Sequence, residues 1–302
     1  MSTAKSRDTA HAERVKQEES AAGSAGYLLA GQASELERLQ VQSRVWEPSG
    51  RRLLEEIGDG RGTRALDVGC GVLGWLRVLS EWVGPDGDVT GTDVDEAMLA
   101  TADRFVSGEG LRNVGLVRDD LFASELEPAS FDLVHARYEI TPLGRSHEQM
   151  ETYIRLARPG GTIVLEDPDT ASWRFNPPAP ALERLIELIV EAFRLSGGDL
   201  DAGRQHLHLF REFGIAENVR AEVVALPPGH PYLRLPLQFA TSLEERLLSL
   251  VTADELQELR EQGETELQEP GRWGTTFTLL QCWGRSPASS VSAARSGARV
   301  RR

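Results

Sequence analysis

The densest chemistry in the sequence is the run Leu66-Asp67-Val68-Gly69-Cys70-Gly71-Val72-Leu73-Gly74. A G-x-G-x-x-G spacing at a strand-to-helix turn lets backbone approach a ligand closely and aims a helix N-terminus at it. Alone, this would suit the pyrophosphate of a dinucleotide. Asp67, two residues before the first glycine, changes the balance. It puts an anion where a pyrophosphate needs neutral or positive surroundings and where an ammonium group is welcome. More acids follow at intervals that suit a nucleoside. Asp93, 19 residues beyond Gly74, offers a carboxylate to both hydroxyls of a ribose. Asp119 and Asp120 close the next apolar run. Asp120-Leu121-Phe122 combines a carboxylate for an exocyclic amine with apolar cover for a ring, so Asp120 is the expected ligand of that pair.

Strand ends have to position these groups. Ala65 to Val68 reads as a strand, followed by the glycine turn and a helix from Trp75 to Val83. Asp88 to Asp93 reads as a second strand, with Asp95 as N-cap of a helix through Phe105. Val114 to Val117, Phe131 to Ala136 and Gly161 to Leu165 read as three more. This alternation predicts an α/β fold, with a mostly parallel sheet covered by helices on both faces and ligands at the carboxyl ends of its strands. Leu182, Leu185, Ile186, Ile189 and Phe193 give one apolar face to a helix from Ala181 to Leu195. A helical stretch from Arg204 to Phe213 follows. Val219 to Leu226 and Thr275 to Trp283 read as late strands. Between them, Ser242-Leu243-Glu244-Glu245 and Thr252-Ala253-Asp254-Glu255 are S/T-x-x-E helix starts. Residues 227–272 are therefore expected to be a helical cap, read as a lid over the crevice, with simple extra packing as the alternative. Leu233, Leu235, Leu237 and Phe239 could wall an apolar pocket there.

The composition narrows the class. The 302 residues carry 33 basic and 47 acidic side chains, for a net charge of -14, which repels a phosphate backbone and argues against nucleic acid. Lysine occurs only at Lys5 and Lys16. Two cysteines, Cys70 and Cys282, are too few for a disulfide framework and wrongly spaced for zinc. No apolar run approaches the ~20 residues of a membrane span, and the polar N-terminus lacks a signal region. A cytoplasmic protein is expected. Residues 1–24 and 286–302 are too poor in apolar residues to order and read as disordered tails flanking one domain at 25–285.

In order and spacing, five segments resemble the class I S-adenosylmethionine-dependent methyltransferases: Leu66 to Gly71, Thr90 to Asp93, Asp120 to Phe122, Phe131 to Val134, and Arg158 to Val164. Tyr27, Glu35 to Leu39 and Gln281 to Arg285 are similar to a small-molecule, natural-product branch. One departure is Leu73, which stands where the family has its third glycine, with Gly74 one position later. The resemblance implies a Rossmann-like seven-stranded sheet whose last strand is antiparallel, with S-adenosylmethionine as cofactor. It implies that the backbone of Gly69 and Gly71 holds the methionine moiety, with Asp67 at its ammonium. Asp93 would take the ribose, and Asp120 with Leu121 the adenine. Arg137 would lie near the methionine end or the substrate, and Tyr27 would close over the cofactor.

The expected reaction is metal-independent methyl transfer to a small, apolar metabolite, driven mainly by proximity and orientation. Catalytic candidates are Glu166, which with Asp167 follows the fifth strand, and His206, two residues from His208 in the later helical stretch. His135, alternating with apolar residues, reads as structural. A nicotinamide-dependent oxidoreductase using the same turn is the alternative, although no lysine follows Lys16 to complete a Tyr-x-x-x-Lys pair. A non-methylating, cyclase-like member that keeps the cofactor is another. Pairing of two copies into a homodimer through the late helices is a further option.

Overall fold

The computed structural model describes residues 33–287. Tyr27, residues 1–24 and nearly all of 286–302 lie outside them. The chain opens with α1 (Ala33–Ile57) and then alternates: β1 (Arg64–Val68), α2 (Leu76–Val83), β2 (Asp88–Asp93), α3 (Glu96–Glu109), β3 (Val114–Arg118), β4 (Phe131–Arg137), α4 (Ile140–Leu143), α5 (Ser146–Leu156) and β5 (Ala157–Asp169). There follow β6 (Arg174–Asn176), α6 (Pro180–Leu195), α7 (His206–Glu212), β7 (Glu217–Glu222), β8 (Ala225–Leu226), α8 (Leu235–Ser242), α9 (Glu244–Leu247), α10 (Ala253–Leu267), β9 (Trp273–Thr275) and β10 (Thr278–Arg285).

The main sheet has seven strands in the order β3-β2-β1-β4-β5-β10-β7. β1 to β5 run parallel, and β10 is antiparallel to both neighbours. The strand order reverses between β1 and β4, so the crevice beyond their carboxyl ends is where such a sheet binds ligands. Alternate side chains sort to opposite faces. Ala65, Leu133 and Val164 pack with Leu53, Trp75 and Leu79 on the side of α1 and α2, whereas Leu66, Val134 and Leu165 pack with Met150, Tyr153 and Phe210 on the side of α5 and α7. Asp95 caps α3 as its position predicts, accepting from the Ala97 and Met98 amides.

The late region differs from the sequence expectation in three ways. Both late strands are broken. After β7 the chain leaves the main sheet, and Val224 exchanges bonds with Thr276, whose backbone N–H reaches the Val224 carbonyl and whose hydroxyl accepts from the Val224 N–H. β8 and β9 then join β6 in a separate three-stranded sheet. Within the cap, Thr252 caps α10 as expected. Ser242 caps nothing, because it ends α8, and the following short α9 has no side-chain cap. α8 itself has no counterpart among the helices the sequence predicts. It reads LPLQFATS, a nearly continuous apolar run without a clear helical stripe.

Candidate active site

The glycine turn is held by its neighbours at both ends. The Cys70 N–H donates to the Thr92 carbonyl at 2.8 Å, tying the turn to β2. Gly69 has φ +60°, and a Cβ there would overlap the Glu139 carboxyl. Gly74 has φ +38°, and its Cβ would overlap Asp67 and come within 2.8 Å of the Cys70 carbonyl oxygen. The position of the third glycine is thus a steric demand that Gly74 meets, and Leu73 leaves the turn intact.

Asp67 does not face the open crevice, contrary to the expectation that it meets an ammonium. It shares the face of Ala65, toward α2, and is only 2% exposed. Its Oδ2 accepts the Trp75 N–H at 2.7 Å, and its Oδ1 lies 2.7 Å from His135 Nδ1. The other ring nitrogen of His135 lies 3.1 Å from Glu166 Oε2. Glu166 also accepts from Gln281 and is fully buried. It cannot touch a substrate, and its reading as a catalytic group is corrected. The physical reason is the length of β5. Pairing with β10, Gln281 opposite Glu166 and Leu280 opposite Asp167, carries that strand to Asp169. Both acids therefore lie within the sheet and not beyond it. Burial pulls the His135 pKa down, but its bonds to the two carboxylates outweigh this and hold it above the usual histidine value.

His206 is corrected in the same way. It is 1% exposed, with Nε2 3.0 Å from Asp167 Oδ2. Asp167 also accepts from the Thr141 N–H at 3.0 Å and the Thr141 hydroxyl at 2.6 Å. This pair braces the segment after β4. Gln149 braces it from below, donating to the Glu139 and Gly144 carbonyls while Tyr153 donates to Gln149.

The braced segment carries groups that sequence reasoning passed over. Tyr138 has φ +62°, a left-handed conformation uncommon for a tyrosine and of the kind that clusters at functional sites. Glu139 follows, with its carboxyl against Gly69. Among the described residues no donor meets that carboxyl. Its pKa is held well above the usual carboxylate range, first by burial and then by Asp93, Asp167 and Asp67. The available signal was positional: an acid two residues past the end of β4, at the crevice. Arg137 Nη2 donates to the Gly74 carbonyl at 3.3 Å, which puts its guanidinium over the end of the turn.

On the other side of the turn, Asp93 accepts from the Gly71 N–H at 3.0 Å and the Asp95 N–H at 2.9 Å. Burial raises its pKa despite those bonds. Asp119 accepts from the Glu125 N–H at 3.0 Å. Asp120 is exposed and accepts from the Phe122 N–H at 2.9 Å, with Leu121 buried beside it. The structure thus brings Gly69, Gly71, Asp93 and Arg137 to one turn, with Asp120 and Leu121 at the end of β3.

Comparison with known proteins bears on the fold and the domain class. A family model described as a methyltransferase domain matches residues 65–161. Over that span the chain is similar to methyltransferase domains. Over 123 residues it is 34% identical to demethylmenaquinone methyltransferase of Staphylococcus aureus, a match covering 41% of this chain and 49% of that protein. The chain therefore spans about half the length of the curated relatives it matches. In fold it is similar to the YcgJ protein of Bacillus subtilis, with a TM-score of 0.53 at 15% identity over 80% of this chain and 99% of that one. It is also similar to a Bacillus halodurans protein proposed to be a methyltransferase, with a TM-score of 0.52 at 17% identity over 79% and 99%.

Aromatic side chains cluster beside Tyr138 at the edge of the crevice. Phe277, at the break between β9 and β10, stacks on Trp46 at 5.4 Å and meets Trp173, Tyr138 and Tyr232 edge-on at 5.9, 6.0 and 6.4 Å. Leu233, Leu235, Leu237 and Phe239 of the cap are buried in the same cluster. Tyr138 joins this apolar cluster to the crevice: its ring packs on Phe277, and its backbone leads into Glu139. Among the described residues its buried hydroxyl has no partner.

Proposed function

We propose that the chain transfers a methyl group from S-adenosylmethionine to a small, apolar metabolite. The supporting observation is the charge around the glycine turn. Asp67 already occupies the Trp75 N–H at the start of α2, and the uncompensated Glu139 carboxyl faces the turn from the open side. A dinucleotide's pyrophosphate would meet a capped helix end and further carboxylates, whereas a cationic ligand meets complementary charge. S-Adenosylmethionine, when bound, supplies a methyl group on a positively charged sulfur, open to displacement by a nucleophile.

On this reading Glu139, in place of Asp67, receives the ammonium, and Arg137 receives the carboxylate beside it. The Gly69 and Gly71 backbone lines the path between them. Asp93 takes the ribose hydroxyls, and Asp120 with Leu121 frames the adenine. The chain's contribution is to hold acceptor and donor in line, worth up to ~7–11 kcal/mol in the best cases. The reaction proposed is metal-independent: Asp167 is engaged with Thr141 and His206, and Asp169 with Arg204 and the Ala171 amide. The aromatic cluster supports an apolar acceptor, as does similarity to enzymes named for demethylmenaquinone.

The test is calorimetric titration with S-adenosylmethionine, S-adenosylhomocysteine, NAD and NADP, with Asp93→Ala in parallel. Saturable binding of the first two, lost in the variant, supports the reading. Binding of a nicotinamide cofactor alone overturns it. Acceptor products that lack a mass gain of one methylene unit would point to a cofactor-retaining role without transfer.

A further inference from the structure

We propose that His135 is a positioning residue for the cofactor turn, acting through Asp67, and that a buried row of side chains on one face of the sheet fixes its protonation. The inference rests on the glycine turn being the cofactor's seat. The row is Asp67 on β1, His135 on β4, Glu166 on β5, Gln281 on β10 and Arg220 on β7. The first four are at most 2% exposed.

Donor and acceptor logic reads along the row from its outer end. Arginine can only donate. Arg220 Nε donates to Gln281 Oε1 at 3.0 Å, which turns the Gln281 amide nitrogen toward Glu166. Glu166 is therefore an acceptor on that side, and its other oxygen faces His135 Nε2. At the inner end Asp67 accepts the Trp75 N–H and faces His135 Nδ1. Each contact to the ring needs a proton, and an imidazolium, whose two ring nitrogens both donate, supplies both. Its ring also stacks on the Trp75 indole, with centroids 3.9 Å apart and planes at 17°.

Such a buried ionic row contributes less to stability than apolar residues of the same shape would. Its inner end, however, is the carboxylate that caps α2 and lies against Gly74. Holding Asp67 by its second oxygen fixes the first on the Trp75 N–H and thereby fixes the turn. The groups facing the ring are Asp67 from β1, Glu166 from β5 and the Trp75 indole at the N-cap of α2. As pH rises and the ring loses a proton, a lone pair is left against one of its two carboxylates; in the tautomer that bares Nδ1 it is Asp67 that is released, and cofactor affinity falls.

S-Adenosylhomocysteine is titrated into wild type, His135→Phe and Glu166→Gln from neutral to alkaline pH. His135→Phe keeps the stack but cannot hold Asp67, and affinity drops by about tenfold or more, the worth of one charge-assisted bond. In Glu166→Gln the new amide accepts from Gln281 and donates to a neutral imidazole, which keeps its Nδ1–H on Asp67. This variant retains the wild-type affinity at neutral pH and lacks the alkaline fall. Cys70, Asp93, Glu139 and the ligand's own amine titrate in both proteins, so the difference between the two profiles reports His135. Equal alkaline falls in wild type and Glu166→Gln overturn the inference, as does unchanged affinity in a folded His135→Phe. If His135→Phe fails to fold, the Glu166→Gln profile still decides. Absence of binding by wild type overturns the cofactor reading, and this inference with it.

Discussion

Replacing Gly74 by alanine tests whether the turn is as constrained as its geometry implies. Three costs can be read from the structure. The residue sits at φ +38°, a left-handed conformation that costs an L-residue roughly 1–2 kcal/mol. The new Cβ would come within 2.8 Å of the Cys70 carbonyl oxygen and 3.1 Å of Cys70 Cα. That backbone cannot slide away, because the Cys70 N–H is bonded to Thr92. The Cβ would also displace the Asp67 carboxylate, leaving the buried Trp75 N–H without its acceptor, at about 1–3 kcal/mol. The first and third costs alone sum to a loss of about 2–5 kcal/mol in unfolding free energy, with the Cys70 overlap in addition. Gly69→Ala is the control. Its φ is also left-handed, but what its Cβ meets is the end of the Glu139 side chain, which can swing aside. The cost there is only ~1–2 kcal/mol, while cofactor affinity still falls because Glu139 has moved. Urea unfolding of both variants, followed by calorimetric titration, measures the two effects. Equal destabilisation by the two substitutions, or a Gly74→Ala protein within error of wild type, would show the steric reasoning to be wrong.

Three further outcomes are expected. Glu139 has a raised pKa in the fold, so the folded chain binds more protons than the unfolded one as pH climbs past the usual carboxylate range, and stability falls over that interval. Glu139→Gln should therefore stabilise the ligand-free protein above that range, leave it unchanged in acid, and weaken S-adenosylmethionine binding at every pH where the wild-type carboxyl is ionised; denaturant melts and titrations across pH read both. Thr252→Ala removes the acceptor of the Glu255 N–H at the start of α10 and should cost about 1 kcal/mol by urea unfolding, with cofactor affinity intact. Phe277→Ala empties the centre of the aromatic cluster and should cost about 3–5 kcal/mol, with a larger effect on the KM of the acceptor than on that of the cofactor.

How far the sequence could be read depended on how local the determinants were. β1 to β5 and the helices between them were legible because each carries its own apolar period and its own turn or cap, as Asp95 does for α3. The late strands were not. Their break at Val224 and Thr276 is set by a pairing between segments 52 residues apart, and no local pattern marks it. The same holds for the misplaced catalytic candidates. In the sequence Glu166 and Asp167 read as following β5 because the apolar run stops at Leu165, yet β10 continues the ladder past them. The polar row was in principle readable from strand parity, since Asp67 shares a face with Ala65, His135 with Leu133, and Glu166 with Val164. That these three faces align side by side required the register between strands.

Two acids at one turn have opposite fates, and the contrast bears directly on the ligand. Asp67 comes before the turn, on a residue whose parity turns it inward, and there it finds an amide N–H and the His135 ring. Its oxygens are engaged within the protein before any ligand arrives. Glu139 comes after β4, on a backbone forced outward by the left-handed Tyr138 and pinned by Gln149 and Thr141, and there it finds other acids. A carboxyl held in such surroundings lowers the stability of the empty fold, and the loss is recovered only when a cation arrives. The turn therefore selects for charge as well as shape. The G-x-G-x-x-G spacing is shared with folds that bind diphosphates, and the placement of Asp67 and Glu139 is what distinguishes this one from them.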